Sequence, residues 1–268
     1  MSIKRVLITG VYGLIAGAIY NRLASKPGEY ELHALARRRL PSDRVPDGRS
    51  LDIPDERFTL SDMSDLDQLT KIFSGIDVVI HMAADPSGAG GWDSVLNSNI
   101  IGAYNVFEAC RLAGVKRIVS ASSIQASSGY RTEEPYQSIA QGNYDALPDP
   151  LPIVRKDWPT RPMNIYASSK VWGEGLARIY SDIHGLSCLC LRIGWVVAED
   201  RPPNPNSGDV WCSQRDIAQI TECCINAPEN LRYDIFYGLS DNKYRWVDIE
   251  HARETIGYDP QDRAEDHS

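Results

Sequence analysis

The chain has no apolar run long enough to span a membrane, no Cys-x-x-Cys pair, no surplus of positive charge and no internal repeat. Each absence removes a class of function. A bilayer-spanning helix needs about 20 predominantly apolar residues in a row, so helical membrane proteins are excluded. The cysteines Cys110, Cys188, Cys190, Cys212, Cys223 and Cys224 fit neither zinc-site nor disulfide spacing. Several lie inside apolar stretches, as reduced core thiols do, so neither a metal nor a disulfide framework is expected. A formal net charge of −8 argues against nucleic acid and anionic membrane as partners, because both reward basic patches. The opening Met1-Ser2-Ile3-Lys4-Arg5 runs into a strand pattern without a signal-peptide h-region, so a cytoplasmic protein is expected.

What is present is an alternation. Strand patterns at Ile3–Thr9, Glu31–Ala36, Asp77–Met82, Arg117–Ala121 and Ser187–Ile193 are separated by helical patterns at Gly13–Ala24, Asp65–Phe73, Trp92–Ala113 and Met163–His184. Short, nearly continuous apolar strands between helices indicate a doubly wound parallel α/β sheet with both faces covered. After Gly194 the rhythm changes to the Pro/Asn-rich run Arg201-Pro202-Pro203-Asn204-Pro205-Asn206. A helix near Ser213–Asn226, a strand Tyr233–Tyr237 and a helix near Val247–Ile256 follow. The 268 residues therefore divide into a core over 1–194 and a small C-terminal substrate lobe over 195–268, with Asp262–Ser268 expected as a frayed tail.

Chemistry is concentrated in three places. The turn Thr9-Gly10-Val11-Tyr12-Gly13-Leu14-Ile15-Ala16-Gly17 follows the first strand. Gly10 permits the bend, Gly13 permits close approach of a pyrophosphate, and Ala16 or Gly17 permits close helix–strand packing. The helix N-terminus then faces the phosphates of a dinucleotide. At the end of the second strand, Arg37-Arg38-Arg39 stand where an NAD site usually carries an acid, so Arg37 is expected to meet a 2′-phosphate, making NADP the expected cofactor and NAD the alternative. Asp62 is either an adenine contact or an N-cap for the following helix. Finally, Tyr166 and Lys170 lie four residues apart on one helical face, where an ammonium can lower a phenol's pKa for proton transfer. The strand Arg117–Ala121 ends in Ser122-Ser123-Ile124-Gln125, at the edge where such sheets bind ligands.

With these motifs the chain resembles, over nearly its whole length, the extended short-chain dehydrogenase/reductases, the NAD-dependent epimerase/dehydratase family. The resemblance implies a Rossmann-like fold, with Tyr166 as acid/base, Lys170 binding the nicotinamide ribose and Ser123 aligning the substrate. Ser122 is the alternative aligning serine. It further implies cofactor contacts at Tyr12, Leu14, Ile15, Met63, Ala83, Asn99 and Ile193, with Asn99 also structural, and a homodimer through Trp92–Ala113 and Met163–His184. His81 reads as a core histidine.

Within the family, Leu191-Arg192-Ile193-Gly194, Trp211-Cys212-Ser213-Gln214-Arg215-Asp216 and Tyr237-Gly238-Leu239-Ser240-Asp241-Asn242 with Arg245-Trp246 look most like uronate dehydrogenases. This likeness implies C1 oxidation of an aldose or uronate to a lactone, with Arg201 on a substrate carboxylate and Gln125 in the pocket. Leu14, Ile124 and Gln125 depart from the uronate pattern and imply different reading of sugar hydroxyls. A nucleotide-sugar epimerase/dehydratase is the alternative enzyme, and a non-catalytic NAD(P) sensor is the alternative from another class. The long segment 129–158 between Ser123 and Tyr166 is either a lid or a surface or dimer-contact excursion.

Overall fold

The structure, a computed structural model, describes residues 3–46, 48–86 and 88–267; Met1, Ser2 and Ser268 lie outside them. Seven strands form one parallel sheet: β1 Lys4–Thr9, β2 Tyr30–Ala36, β3 Phe58–Leu60, β4 Val78–His81, β5 Arg117–Ser123, β6 Ser187–Ile193 and β7 Tyr233–Gly238. Their order is β3-β2-β1-β4-β5-β6-β7. The chain reverses direction across the sheet at β1, with β2 on one side and β4 on the other, and this opens a crevice at the strands' carboxyl ends.

Period-two alternation sorts the strand residues between two cores. Val6, Ile8, Val78, Ile80 and Val119 face α1 Leu14–Ala24 and α7 Gln214–Asn226. Leu7, Val79, Ile118 and Cys188 face the other layer, α2 Leu66–Phe73, α4 Gly102–Ala113 and α6 Ile165–His184. Burying each such side chain contributes ~1.5–3 kcal/mol against the entropy of ordering the chain. β3 escaped the sequence reading because three residues are too few to display alternation.

The region 91–113 is one helical run. α3 Gly91–Val95 passes through a π-helical turn, Leu96–Ile101, into α4. The elements after Gly194 pack into the main core. β7 pairs with β6, and Ile217 and Ile220 of α7 pack in the cluster that also holds Ile19 and Leu23 of α1.

The long segment 129–158 is packed. Tyr130, Tyr136 of α5 Tyr136–Ala140, Ile139 and Val154 form a third apolar cluster with Tyr237, Leu239, Trp246 and Val247. The Val154 N–H donates to the Trp246 carbonyl at 2.8 Å, ahead of α8 Glu250–Ile256. The acidic tail is docked rather than frayed over its described residues 262–267: Asp262 accepts from Ser213 Oγ at 2.6 Å and pairs with Arg215, and Ala264 is buried. An opposite charge far away in sequence supplied the anchor that local composition could not reveal.

Candidate active site

A cleft of about 1330 Å³ runs along the carboxyl ends of the strands, larger than the space a drug-sized ligand fills. Gly10, Tyr12, Gly13, Leu14 and Ile15 form its floor. Gly10 has φ 68°, and a Cβ there would meet Ala83 Cα at 2.9 Å, so glycine is required twice over. The Gly13 N–H closes the turn onto the Gly10 carbonyl at 2.9 Å. At Gly17 an added Cβ finds only ordinary contacts at 3.7 Å, and the neighbouring Ala16 is buried in the core cluster with β1. α1 starts with no side-chain cap and no acid in its first turn, leaving its N-terminal N–H groups and positive dipole end for an anion. These features fit a dinucleotide's diphosphate.

At the other side of the floor, Arg37, Arg38, Asp62 and Met63 line the cleft. Arg39 is outside the lining: it donates to the Ile53 carbonyl at 2.8 Å, pairs with Asp55, hydrogen-bonds Tyr12 and lies over the Phe58 ring. Asp62 does not cap the next helix. Asp65 does, accepting from the Gln68 N–H at 2.9 Å, while hydrogen bonds from Ser64 hold the Asp62 carboxyl below its usual range.

The reacting end is built by β5, β6 and α6. Tyr166, Lys170, Ser123, Ala83 and Ile193 line the cleft there. Asn164 caps α6, its side-chain oxygen accepting from the Ala167 N–H at 2.7 Å, which fixes the start of the helix two residues before Tyr166. Lys170 is buried, with Nζ donating to the Ala121 carbonyl at 2.9 Å and lying 5.6 Å from the Tyr166 ring centroid. Burial lowers its pKa to about 8.

Burial also raises the Tyr166 phenol, with a hydrogen bond from Ser123 and the charge of Arg44 pulling the other way. The expected depression by Lys170 is therefore not found in the protein alone: the ammonium is committed to a backbone carbonyl, and Ser123 is the main group favouring the phenolate.

The two candidate serines both line the cleft but have different partners. Ser123 meets Tyr166, and its Oγ also accepts from the Gln125 N–H at 3.1 Å. The Ser122 hydroxyl instead donates to Glu174 at 2.6 Å. That carboxylate is held by Arg192 at 2.8 and 2.9 Å, and Arg192 donates on to Tyr237 Oη, which meets Ser127 Oγ.

Asn99 is buried in the π-helical turn, accepting from the Asp85 N–H at 2.7 Å and donating to Ser169 Oγ at 3.0 Å, so it ties the β4 loop to α6. His81 is a core histidine, brought down to about 3 by burial and by Lys170. Thr9 Oγ1 accepts from the Met82 and Ala83 N–H groups, so its own proton goes to His81 Nδ1 and the ring carries its hydrogen on Nε2.

Arg201 is exposed and outside the lining, which ends at Glu199; Arg44, on the loop after β2, does line the cleft. Asn164 and Arg44 were missed in the sequence. The first carries an N-cap signal just ahead of the helix, and the second carries none. Among the described residues there is no His/Cys/Asp/Glu cluster able to hold a metal, and no helix is long and apolar enough to cross a membrane.

Comparison with known proteins agrees with this geometry. The model of the NAD dependent epimerase/dehydratase family matches residues 6–222. An NAD-dependent glucose-6-phosphate dehydrogenase of Haloferax volcanii is 33% identical over 260 residues, covering 97% of this chain and 94% of the relative. A uronate dehydrogenase of Pseudomonas putida is 31% identical over 262 residues, covering 98% and 85%. A solved mutant of uronate dehydrogenase from Agrobacterium tumefaciens complexed with NAD superposes with a TM-score of 0.79 at 29% identity, covering 99% of this chain and 87% of that one. The crevice at the reversal of the sheet, the glycine-bound floor and the Tyr166/Lys170 pair beside it thus have one common source: the chain belongs to the NAD dependent epimerase/dehydratase family and is an oxidoreductase similar to its sugar dehydrogenases.

Proposed function

We propose that this protein oxidises C1 of an aldose or its acidic derivative to a lactone, with a nicotinamide dinucleotide as hydride acceptor. The observation that carries the reading is the convergence of Ser123, Tyr166 and Lys170 at the end of the cleft away from Arg37 and Asp62. Bound there, the nicotinamide ring supplies the carbon that takes up hydride.

Tyr166 Oη removes the proton of the substrate hydroxyl. Ser123 Oγ, already accepting from the Gln125 N–H, turns its own proton toward the reacting oxygen and holds that oxygen against the phenolate. The base is the Tyr166 phenolate, which becomes the phenol as it takes that proton; Ser123 and the charge of Arg44 favour it beforehand, and the Lys170 ammonium faces the ring. Arg44 supports an acidic substrate better than Arg201 does, because it lines the cleft and its charge is felt at Tyr166.

For the cofactor, Arg37 and Arg38 beside the adenosine end, with no acid closing β2, favour NADP over NAD. A homodimer is the favoured assembly. Ile165, Trp172, Ile179 and Ile183 make an exposed apolar stripe along α6, and Tyr104 and Leu112 are exposed on α4. Such a face is buried by a second copy more readily than left in water.

The test is a screen of glucose 6-phosphate, glucuronate and L-arabinose with NAD and NADP, followed by absorbance of the reduced cofactor and identification of the product. A lactone supports the reading, and a product with its C1 hemiacetal intact opposes it.

A further inference from the structure

We infer that Asn164 sets the polarity of Gln125, so that Gln125 meets the substrate as a hydrogen-bond donor to an oxygen that only accepts. The chain of reasoning begins at the backbone of α6. The Ala167 N–H can only donate, so the Asn164 atom that faces it at 2.7 Å is the carbonyl oxygen Oδ1. The other end of that amide is then Nδ2, which carries only donors. It lies 2.9 Å from the Gln125 side chain, whose facing atom must therefore be Oε1. The remaining terminus of Gln125 is its NH2 group. A helix cap has fixed, through two amides in series, which end of a flexible glutamine is left for a ligand.

Gln125 and Asn164 both line the cleft with Ser123 and Tyr166, and Gln125 is only half-buried. Its own N–H donates to Ser123 Oγ at 3.1 Å, so the glutamine is joined to the reacting end by backbone as well as by position. An NH2 group rewards an oxygen that accepts. Sugar hydroxyls do both, whereas the ring oxygen, a carboxylate or a phosphate can only accept. If the reaction is at C1, the ring oxygen is bonded to the reacting carbon, which makes it the natural partner of a group beside Ser123. The inference rests on the proposed C1 oxidation for the identity of that oxygen and on geometry alone for the polarity.

Asn164→Asp tests it by reversing the polarity without removing the cap. One carboxylate oxygen still accepts from the Ala167 N–H, but the other now accepts too, so Gln125 must turn its NH2 group onto Asp and present Oε1 to the substrate. The variant should keep its melting temperature and NAD affinity and lose about 10–100-fold in kcat/KM for the sugar. Gln125→Ala should lose about 3–10-fold, and in that background Asn164→Asp should cost no more than about 3-fold.

The new carboxylate also raises the Tyr166 phenol. That effect is present in both backgrounds and cancels in the double-mutant cycle, while the pH profile of each variant reports it separately. Running the cycle on the sugar dissociation constant with NADH bound, by calorimetry, reads polarity without turnover, so failure of the proposed reaction and failure of this inference are told apart. Equal penalties for L-arabinose and for glucose 6-phosphate or glucuronate identify the ring oxygen; a penalty confined to the charged sugars identifies their anionic group. An Asn164→Asp penalty of the same size with and without Gln125, or no penalty, overturns the inference.

Discussion

Ser122 and Ser123 are neighbours in β5 whose hydroxyls serve different partners: Ser123 meets the Tyr166 phenol, and Ser122 donates to Glu174 at 2.6 Å inside a buried network. Ser123→Ala should lower kcat by about 10–100-fold and, because the lost hydrogen bond favoured the phenolate, move the acidic limb of kcat/KM to higher pH. Ser122→Ala should leave that limb in place and cost about 1–3 kcal/mol of stability, since the Glu174 carboxylate loses a buried donor. A pH–rate profile and a denaturant titration of both variants separate the two; an alkaline shift in Ser122→Ala instead would reverse the assignment.

Tyr166→Phe should cut turnover by about two to four orders of magnitude with cofactor affinity nearly unchanged. Fluorescence titration with NADH beside steady-state kinetics checks both halves. Near-normal turnover would remove Tyr166 from the chemistry.

Lys170 couples function to stability. Its folded-state pKa of about 8 lies below the ordinary 10.5, so the folded protein binds fewer protons than the unfolded chain between those values. The cost of burying the ammonium is complete below pH 8 and fades as pH rises through that window. Lys170→Met should therefore abolish most activity while raising stability at pH 7 by about 1–3 kcal/mol, and by less at pH 10. Denaturant melts at the two pH values measure this, and a variant less stable at pH 7 would show that the Ala121 contact outweighs the burial cost.

Arg37→Asp should move the ratio of kcat/KM values from NADP toward NAD by roughly ten-fold or more, through loss of a charge-assisted contact and added repulsion. Arg39→Ala should leave the ratio alone, because Arg39 is outside the cleft lining and is occupied by Asp55, Ile53 and Tyr12. An unchanged ratio in Arg37→Asp would assign the arginine run to the solvated loop.

Ile179→Glu with Ile183→Glu should convert a dimer to a monomer in sedimentation velocity, since both lie on the exposed α6 stripe, Ile183 at 72% exposure. A wild type that already sediments as a monomer would oppose the dimer.

The parts of this molecule that follow local rules were legible in the sequence. Gly10 needs a positive φ, Tyr166 and Lys170 share a face by helical periodicity, and buried parallel strands announce themselves as apolar runs. Strand alternation puts the two serines on opposite faces of β5 without saying which of them meets the tyrosine. Ser122 follows Ser120 toward the small polar space it shares with Lys170 and Glu174, and Ser123 falls to the opposite phase.

What stayed hidden depends on contacts distant in sequence. The Asp262–Arg215 pair docks the tail, Trp246 and Val247 receive the segment 129–158, and Asp55 pairs with Arg39 outside the cleft lining. The displacement of Arg201 from the cleft is a property of loop conformation, which no periodicity encodes.

The most direct measurement follows the C1 hydrogen. The wild-type protein is incubated with C1-deuterated glucose 6-phosphate, glucuronate or L-arabinose and with NAD or NADP, and the reduced cofactor is examined by mass spectrometry. Oxidation at C1 places the deuterium in the reduced cofactor and leaves a lactone or its hydrolysed acid. Deuterium retained at C1 of a product oxidised or inverted at another carbon would contradict it.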